Sequence, residues 1–176
     1  LAQDSAGPLA ALVFKTTADP YVGTLSYLRV FSGTIKSDSQ VWNSQKGQAE
    51  RIGHLFTLRG KSQEQTSALV AGDIGGVAKL AATSTGDSLT QRDQPLTLEP
   101  IRFPDPVYVS AIHPKSKADF DKMSSALTRL VEEDPSLHHR RESATGETLL
   151  DGMGDTHIDV AVEKAKRKFG VELEAI

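Results

Sequence analysis

The sequence predicts two domains, an all-β barrel over residues 1–98 and an α+β domain over residues 107–176. Three observations carry that division. Residues 1 to about 98 hold short apolar, β-branched and aromatic runs separated by glycine and aspartate turns, the rhythm of a β-sandwich or small barrel. "LEPIRFPDPVYV" then places Pro100, Pro104 and Pro106 close together. Proline removes a backbone donor and restricts its predecessor, so residues 99–106 read as an extended connector. Beyond it the pattern changes to alternating strand and helix.

Taken in order, "GPLAALVFK" is a strand entered from Gly7-Pro8, and "VGTLSYLRVFSGTI" is a strand cut by Gly33. "SDSQ" turns the chain into Val41-Trp42-Asn43, and "SQKGQ" turns it towards "AERIGHLFTLRG". "GKSQEQTS", Gly60 to Ser67, is polar throughout and reads as an exposed loop. "SALVAGDIGGVAKL" and "STGDSL" supply the remaining short strands. After the connector, "VYVSAIH" is a strand stopped by Pro114. "SKADFDKMSSALTRLVEEDP" is a helix, with Ser116 as its cap and Asp119 three residues on, as in a capping box. Phe120, Met123, Leu127, Leu130 and Val131 form its apolar face, and Pro135 closes it. "LHHRRES" and "ETLLDGM" are strands around "ATG". A second helix carries Ile158, Ala161, Val162, Ala165 and Phe169 on one stripe, stops at Gly170, and leads to a last strand, "VELEAI". The order β-α-β-β-α-β is the split, ferredoxin-like arrangement.

Composition narrows the function classes. The chain has 176 residues, 24% charged and 38% hydrophobic, with no apolar run long enough to span a membrane as a helix. It begins on Leu1 and shows no basic-then-apolar leader, which points to a segment of a longer protein and not to a secretory signal. With no cysteine, disulfide and thiol chemistry are excluded and a cytoplasmic setting fits. Net charge is −3, with 10 basic and 10 acidic groups in residues 1–106 and 10 and 13 in residues 107–176. Any nucleic-acid contact must therefore be a local patch.

Three constellations are candidates for chemistry. "DGMGDTHIDV", Asp151 to Val160, offers two glycines before a helix, but His157 stands where a dinucleotide fingerprint needs its third glycine. No G-x-x-x-x-G-K-[ST] occurs in the chain, so no nucleoside triphosphate cradle is expected. Asp155 and Asp159 share a helix face while His157 points elsewhere, which disfavours a metal site; a hydrolase reading would need Asp151, Asp155 and His157 to converge on one point. The local physics favours a strand-to-helix corner: Gly152 and Gly154 allow the turn, Asp155 is a cap or first-turn acid, and His157 faces a partner or an adjoining domain. "HHRR" puts His138 and Arg140 on one strand face and His139 and Arg141 on the other, the mark of a charged edge strand or of a phosphate contact. Arg29, Arg51, His54, Arg59 and Lys61 scatter through the barrel; clustered on one face they would make an RNA-binding patch.

The segments, in their order and spacing, resemble a known family. "FKTTADPYVGTLSYLRVFSGTI", "ERIGHLF", "AGDIGGVAKL" and "STGDSL" are similar to the second domain of the translational GTPases, and within them of elongation factor G. "LEPIRFPDPVYVSAIHPKSKADFDKM", "ALTRLVEEDPSL" and "TGETLLDGMGDTH" are similar to its interdomain junction and third domain. The resemblance covers nearly the whole chain and implies a β-barrel domain II followed by a ferredoxin-like domain III. It further implies a parent protein whose preceding domain hydrolyses GTP with Mg2+, while this segment has no catalytic residues and holds no cofactor or metal. The implied partners are the ribosome, through small-subunit ribosomal RNA and ribosomal protein, and the protein's own GTPase domain, with no membrane and no DNA. The implied role is tRNA and mRNA translocation in the cytoplasm, the alternatives being a free-standing RNA-binding barrel module or a ribosome-recycling or other paralogue. The family's usual Gly-Met-Gly-Glu-Leu-His-Leu-Glu stands here as Gly152-Met153-Gly154-Asp155-Thr156-His157-Ile158-Asp159, and His113 occupies a usual glutamate position. By the resemblance, His157 matches a histidine near the fusidic acid pocket, at the boundary with the GTPase domain.

Overall fold

The computed structural model describes residues 3–19 and 22–176, so Leu1 and Ala2, and Pro20 and Tyr21 within "FKTTADPYVGTLSYLRVFSGTI", lie outside the described residues. The chain divides into two units, Leu1–Ile101 and Arg102–Ile176. Each has its own hydrophobic core.

In the first unit the β-branched and aromatic runs form β1 (Ala10–Asp19), β2 (Gly23–Ser32), β3 (Thr34–Lys36), β4 (Ser39–Asn43), β5 (Gln48–Ile52), β6 (Leu55–Arg59), β7 (Ser62–Thr66), β8 (Ala68–Val70), β9 (Ile74–Ala78) and β10 (Ser88–Thr90). Eight of them make one antiparallel sheet in the order β5-β4-β10-β1-β2-β9-β6-β7, and β3 pairs with β8. Because strand side chains alternate, Leu28 and Val30 point into the core while Arg29 between them is exposed. Val13, Ile52, Leu55, Val77 and Leu89 are among the other fully buried residues of the interior. Gly75 is fixed by close approach: a Cβ there would lie 2.4 Å from Leu69 Cδ1 and 2.8 Å from the Phe56 carbonyl.

The polar stretch Gly60 to Ser67 is not a loop, contrary to the reading from its composition. Gly60 (φ +58°) opens a tight turn, and β7 then pairs residue for residue with β6, from Leu55 opposite Thr66 to Arg59 opposite Ser62. As the last strand of the sheet, β7 has no core face to bury, so it carries no apolar alternation. Two buried carboxylates organise the opposite region. Glu50, 2% exposed, accepts the Ala81 and Ala82 N–H groups and the Thr83 hydroxyl, and Asp87 accepts from the Asn43 amide and the Ser84 N–H. They satisfy donors of the 81–87 segment that secondary structure leaves unpaired.

The second unit contains β11 (Tyr108–Pro114), α1 (Lys117–Glu133), β12 (His138–Arg141), β13 (Thr148–Gly152), α2 (Asp155–Phe169) and β14 (Leu173–Ala175). Its antiparallel sheet runs β12-β13-β11-β14, the ferredoxin-like arrangement. Met123, Ala126, Leu127 and Leu130 of α1 and Ile158, Ala161 and Ala165 of α2 pack with Ile112, Leu150 and Leu173 of the sheet. Phe120 departs from the predicted stripe: it is 59% exposed, one turn before the buried run begins at Met123. Ser116 caps α1 by accepting the Asp119 N–H at 3.2 Å. The Asp119 carboxylate accepts the Ser116 hydroxyl and the Glu172 N–H, and these bonds hold its carboxyl below the usual range.

Candidate functional site

The corner between β13 and α2 is built by Gly152, Gly154 and His157. At Gly152 a Cβ would stand 2.9 Å from Ile158 Cδ1, 3.2 Å from His157 Nδ1 and 3.3 Å from Leu137 Cδ2. A Cβ would thus crowd these side chains, so glycine eases the packing of the corner against the core, and its backbone angle does not call for it. Gly154 is the helix N-cap in extended conformation with open space around it, so neither sterics nor dihedral demands glycine there. It has no side-chain cap bond, so the helix is not capped by Asp155. Asp155 is instead the first helical residue, where its carboxylate accepts from the Thr156 N–H at 2.6 Å and hydroxyl at 3.2 Å and complements the helix dipole.

His157 is held from both sides. The Met153 N–H donates to its Nδ1 at 3.0 Å, so that nitrogen is unprotonated and the proton sits on Nε2. Nε2–H donates to Asp134 Oδ2, also at 3.0 Å, at the C-cap of α1. The imidazole therefore clasps the end of one helix to the start of the other. Burial raises the Asp134 carboxyl most strongly, but bonds from the Ser136 hydroxyl, the His157 ring and the Ser136 N–H together bring it below its ordinary value.

The side chains a hydrolase would need to converge do not. Asp151 pairs with Arg140 (3.4 Å), Asp155 with Thr156, and His157 with Asp134. Among the described residues, no group of three His, Cys, Asp or Glu side chains could hold a metal ion. No helix among them is long and apolar enough to cross a membrane.

The HHRR run forms β12, an edge of its sheet. Its charge is used locally: Arg140 bonds Glu142 at 3.0 Å and Asp151 at 3.4 Å. That contact helps hold the Glu142 carboxyl low, after the Ala144 N–H. His138 stands exposed opposite Asp151 in the register, and His139 turns back to the Thr128 hydroxyl on α1.

On the barrel, the structure brings only Arg51 and His54 of the five scattered basic residues to one place. Both line a pocket of about 310 Å3 with Phe56, Ala78, Val22 and Lys79. Arg29 lies elsewhere, opposite Ile74 while Ala78 faces Leu25, and its guanidinium sits over the Phe31 ring. Arg59 faces Glu64 across the β6–β7 hairpin whose turn carries Lys61. Lys79 and Phe56 are not legible in the sequence as site residues. Lys79 adopts φ +57°, uncommon for a side-chain-bearing residue, and its N–H is fixed by the Thr24 carbonyl at 2.8 Å.

Comparison with known proteins fits this geometry to a family. Residues 8–92 match the model for elongation factor G domain 2, and residues 103–175 match that for elongation factor G domain III. The chain belongs to the elongation factor G family. A crystal structure of a protein from Thermus thermophilus is 36% identical and superposes with a TM-score of 0.82, covering 97% of this chain. The chain spans about a quarter, 26%, of that relative's length. The first unit is thus the elongation factor G domain II barrel, and the second its domain III, with the clasped corner inside the stretch that matches domain III. The chain accordingly carries two consecutive domains of that family.

Proposed function

We propose that this chain is the ribosome-contacting body of an elongation factor G-like GTPase, lying between the nucleotide-binding domain and whatever moves the tRNA–mRNA complex. The observation that carries the reading is the succession of two family matches, residues 8–92 then 103–175, which between them account for nearly all of the chain. In this reading GTP and Mg2+ belong to the parent protein's GTPase domain, and the work is done in the cytoplasm. Domain II rests on small-subunit ribosomal RNA and ribosomal protein, and domain III relays the nucleotide state. Its two helices are joined by the His157 clasp, so a push on one terminus is passed to the other.

Calorimetric titration of this chain with GTP and Mg2+ should give no saturable heat; saturable heat contradicts the assignment of nucleotide binding to another domain. Translocation of tRNA on programmed ribosomes, measured with the parent protein, should be accelerated in the presence of GTP. Subunit splitting without translocation would instead make it a recycling paralogue.

A further inference from the structure

We propose that the pocket between β5, β6 and β9 of the barrel binds one unpaired nucleotide of an RNA strand, its phosphate on Arg51 and Lys79 and its base against Phe56 and His54. This rests on the ribosome-contacting reading above and specifies the ligand of that surface.

Four features converge on this ligand. The volume, about 310 Å3, is at the small end of ligand pockets, which run about 300–1,000 Å3, and suits a single nucleotide better than a larger group. Arg51 and Lys79 are both exposed and have no ion-pair partner among the described residues, unlike Arg140, which two carboxylates hold. An anion can therefore take them without displacing an internal carboxylate. The aromatic wall is formed by His54 and Phe56, whose rings lie 6.5 Å apart and tilted, so a π-face is offered for a base to stack on. The Gln65 amide N–H donates to His54 Nδ1 at 2.9 Å, which leaves the proton on Nε2 free to bond a base or sugar oxygen. Lys79 supplies the fourth. Its left-handed backbone is one that glycine would adopt without strain, yet a long cation stands there. Cations without an aromatic wall would suit any anion; the combination with Phe56 selects a nucleotide. The chain as a whole is slightly acidic, so this is a local site and not a general polyanion surface.

The backbone of Lys79 also makes a clean test available. In Lys79→Gly, relief of the left-handed strain opposes the loss of chain stiffness, so the unfolding midpoint should stay close to wild type while the charge disappears. Binding of fluorescein-labelled hexauridylate to the chain is followed by anisotropy at 50 and 200 mM NaCl. Removing one of the two cations on the phosphate lowers the slope of log affinity against log salt by up to about 0.7, so the advantage of wild type over Lys79→Gly should shrink by up to about 2.6-fold between the two salts. Arg51→Gln should do the same. Phe56→Ala should weaken binding about five-fold or more at both salts and leave the slope unchanged. Uridine monophosphate should compete and inorganic phosphate should compete less well.

No binding by the wild-type chain overturns the proposal, as do unchanged slopes in both charge variants. Competition by octaglutamate as effective as by uridine monophosphate would show a site for acidic peptides and also overturns it. Sedimentation of the parent protein with ribosomes separates the two levels. If the parent sediments while the charge variants bind hexauridylate as wild type does, the pocket is wrong and the ribosome reading stands. If the parent does not sediment and the charge variants bind as wild type does, both fail.

Discussion

Replacing His157 by alanine should destabilise domain III by about 2–3 kcal/mol. The ring is mostly buried, with 21% of its side chain exposed, and both nitrogens are bonded. Loss of the Met153 bond costs little more than a net hydrogen bond, ~1 kcal/mol, because Met153 is 40% exposed and water can replace the ring. Loss of the bond to Asp134 costs about 1.5 kcal/mol, the low end for a charged acceptor, because the Ser136 N–H and hydroxyl still serve that carboxylate. The void left beside Gly152 adds part of a further kcal/mol, roughly, since the corner is packed to within van der Waals contact there. His157→Asn should recover about half of the loss, because its amide oxygen can stand in for Nδ1 but not for Nε2. Urea unfolding of the chain, with amide exchange read at Met153 and the first turn of α2, measures both variants. If His157→Ala unfolds within about 0.5 kcal/mol of wild type, the clasp is not made in solution and the reasoning fails.

Other consequences follow from the same contacts. Glu50→Gln should destabilise domain II by about 1–3 kcal/mol, because one of its oxygens becomes an amide N–H facing donors of the 81–83 segment; chemical unfolding of the chain checks it. Gly75→Ala should cost a similar amount, about 1–3 kcal/mol, through overpacking against Leu69 and the Phe56 carbonyl, again read from the domain II transition. Ser116→Ala should lower domain III stability by about 1 kcal/mol through the lost cap. The carboxyls of Asp119, Asp134 and Glu142 all titrate below their ordinary values when folded, so their contribution is present above about pH 4 and is lost as the pH falls through the lowered values. A thermal-unfolding series from pH 7 to pH 2 should show that loss for domain III, and in His157→Ala the loss should be smaller and should end at a higher pH, because Asp134 loses one of the bonds that hold it low.

What is legible in the sequence is whatever repeats at short range. The strands β1 and β2, both helices, the Ser116 cap and the β-α-β-β-α-β order follow from periodicity, capping and proline placement. β7 escapes because an edge strand that buries nothing has the composition of a loop. Phe120 has the right spacing for the helix stripe but sits in the first turn, before α1 meets the core. The clasp joins residues 23 apart, and Glu50 meets its donors 31 to 33 residues away, so no local pattern announces either. The pocket draws on β5, β6 and the end of β9, and the scattered cations could not reveal that Arg51 and His54 converge while Arg29 and Arg59 do not. The Gly-Met-Gly corner reads in sequence as a turn, whereas at Gly152 a Cβ would crowd the side chains of Ile158, His157 and Leu137, and Gly154 is demanded by neither space nor angle.

The absence of cysteine makes a direct test of the ribosome contact practicable. Gln48→Cys at the exposed start of β5, three residues before Arg51, gives a single attachment point for an iron chelate that generates hydroxyl radicals. Bound to small ribosomal subunits, the labelled chain should cleave the small-subunit RNA at discrete positions, and unlabelled chain added in excess should suppress the cuts. Uniform background cleavage, unchanged by competitor, would contradict a ribosome-contacting barrel.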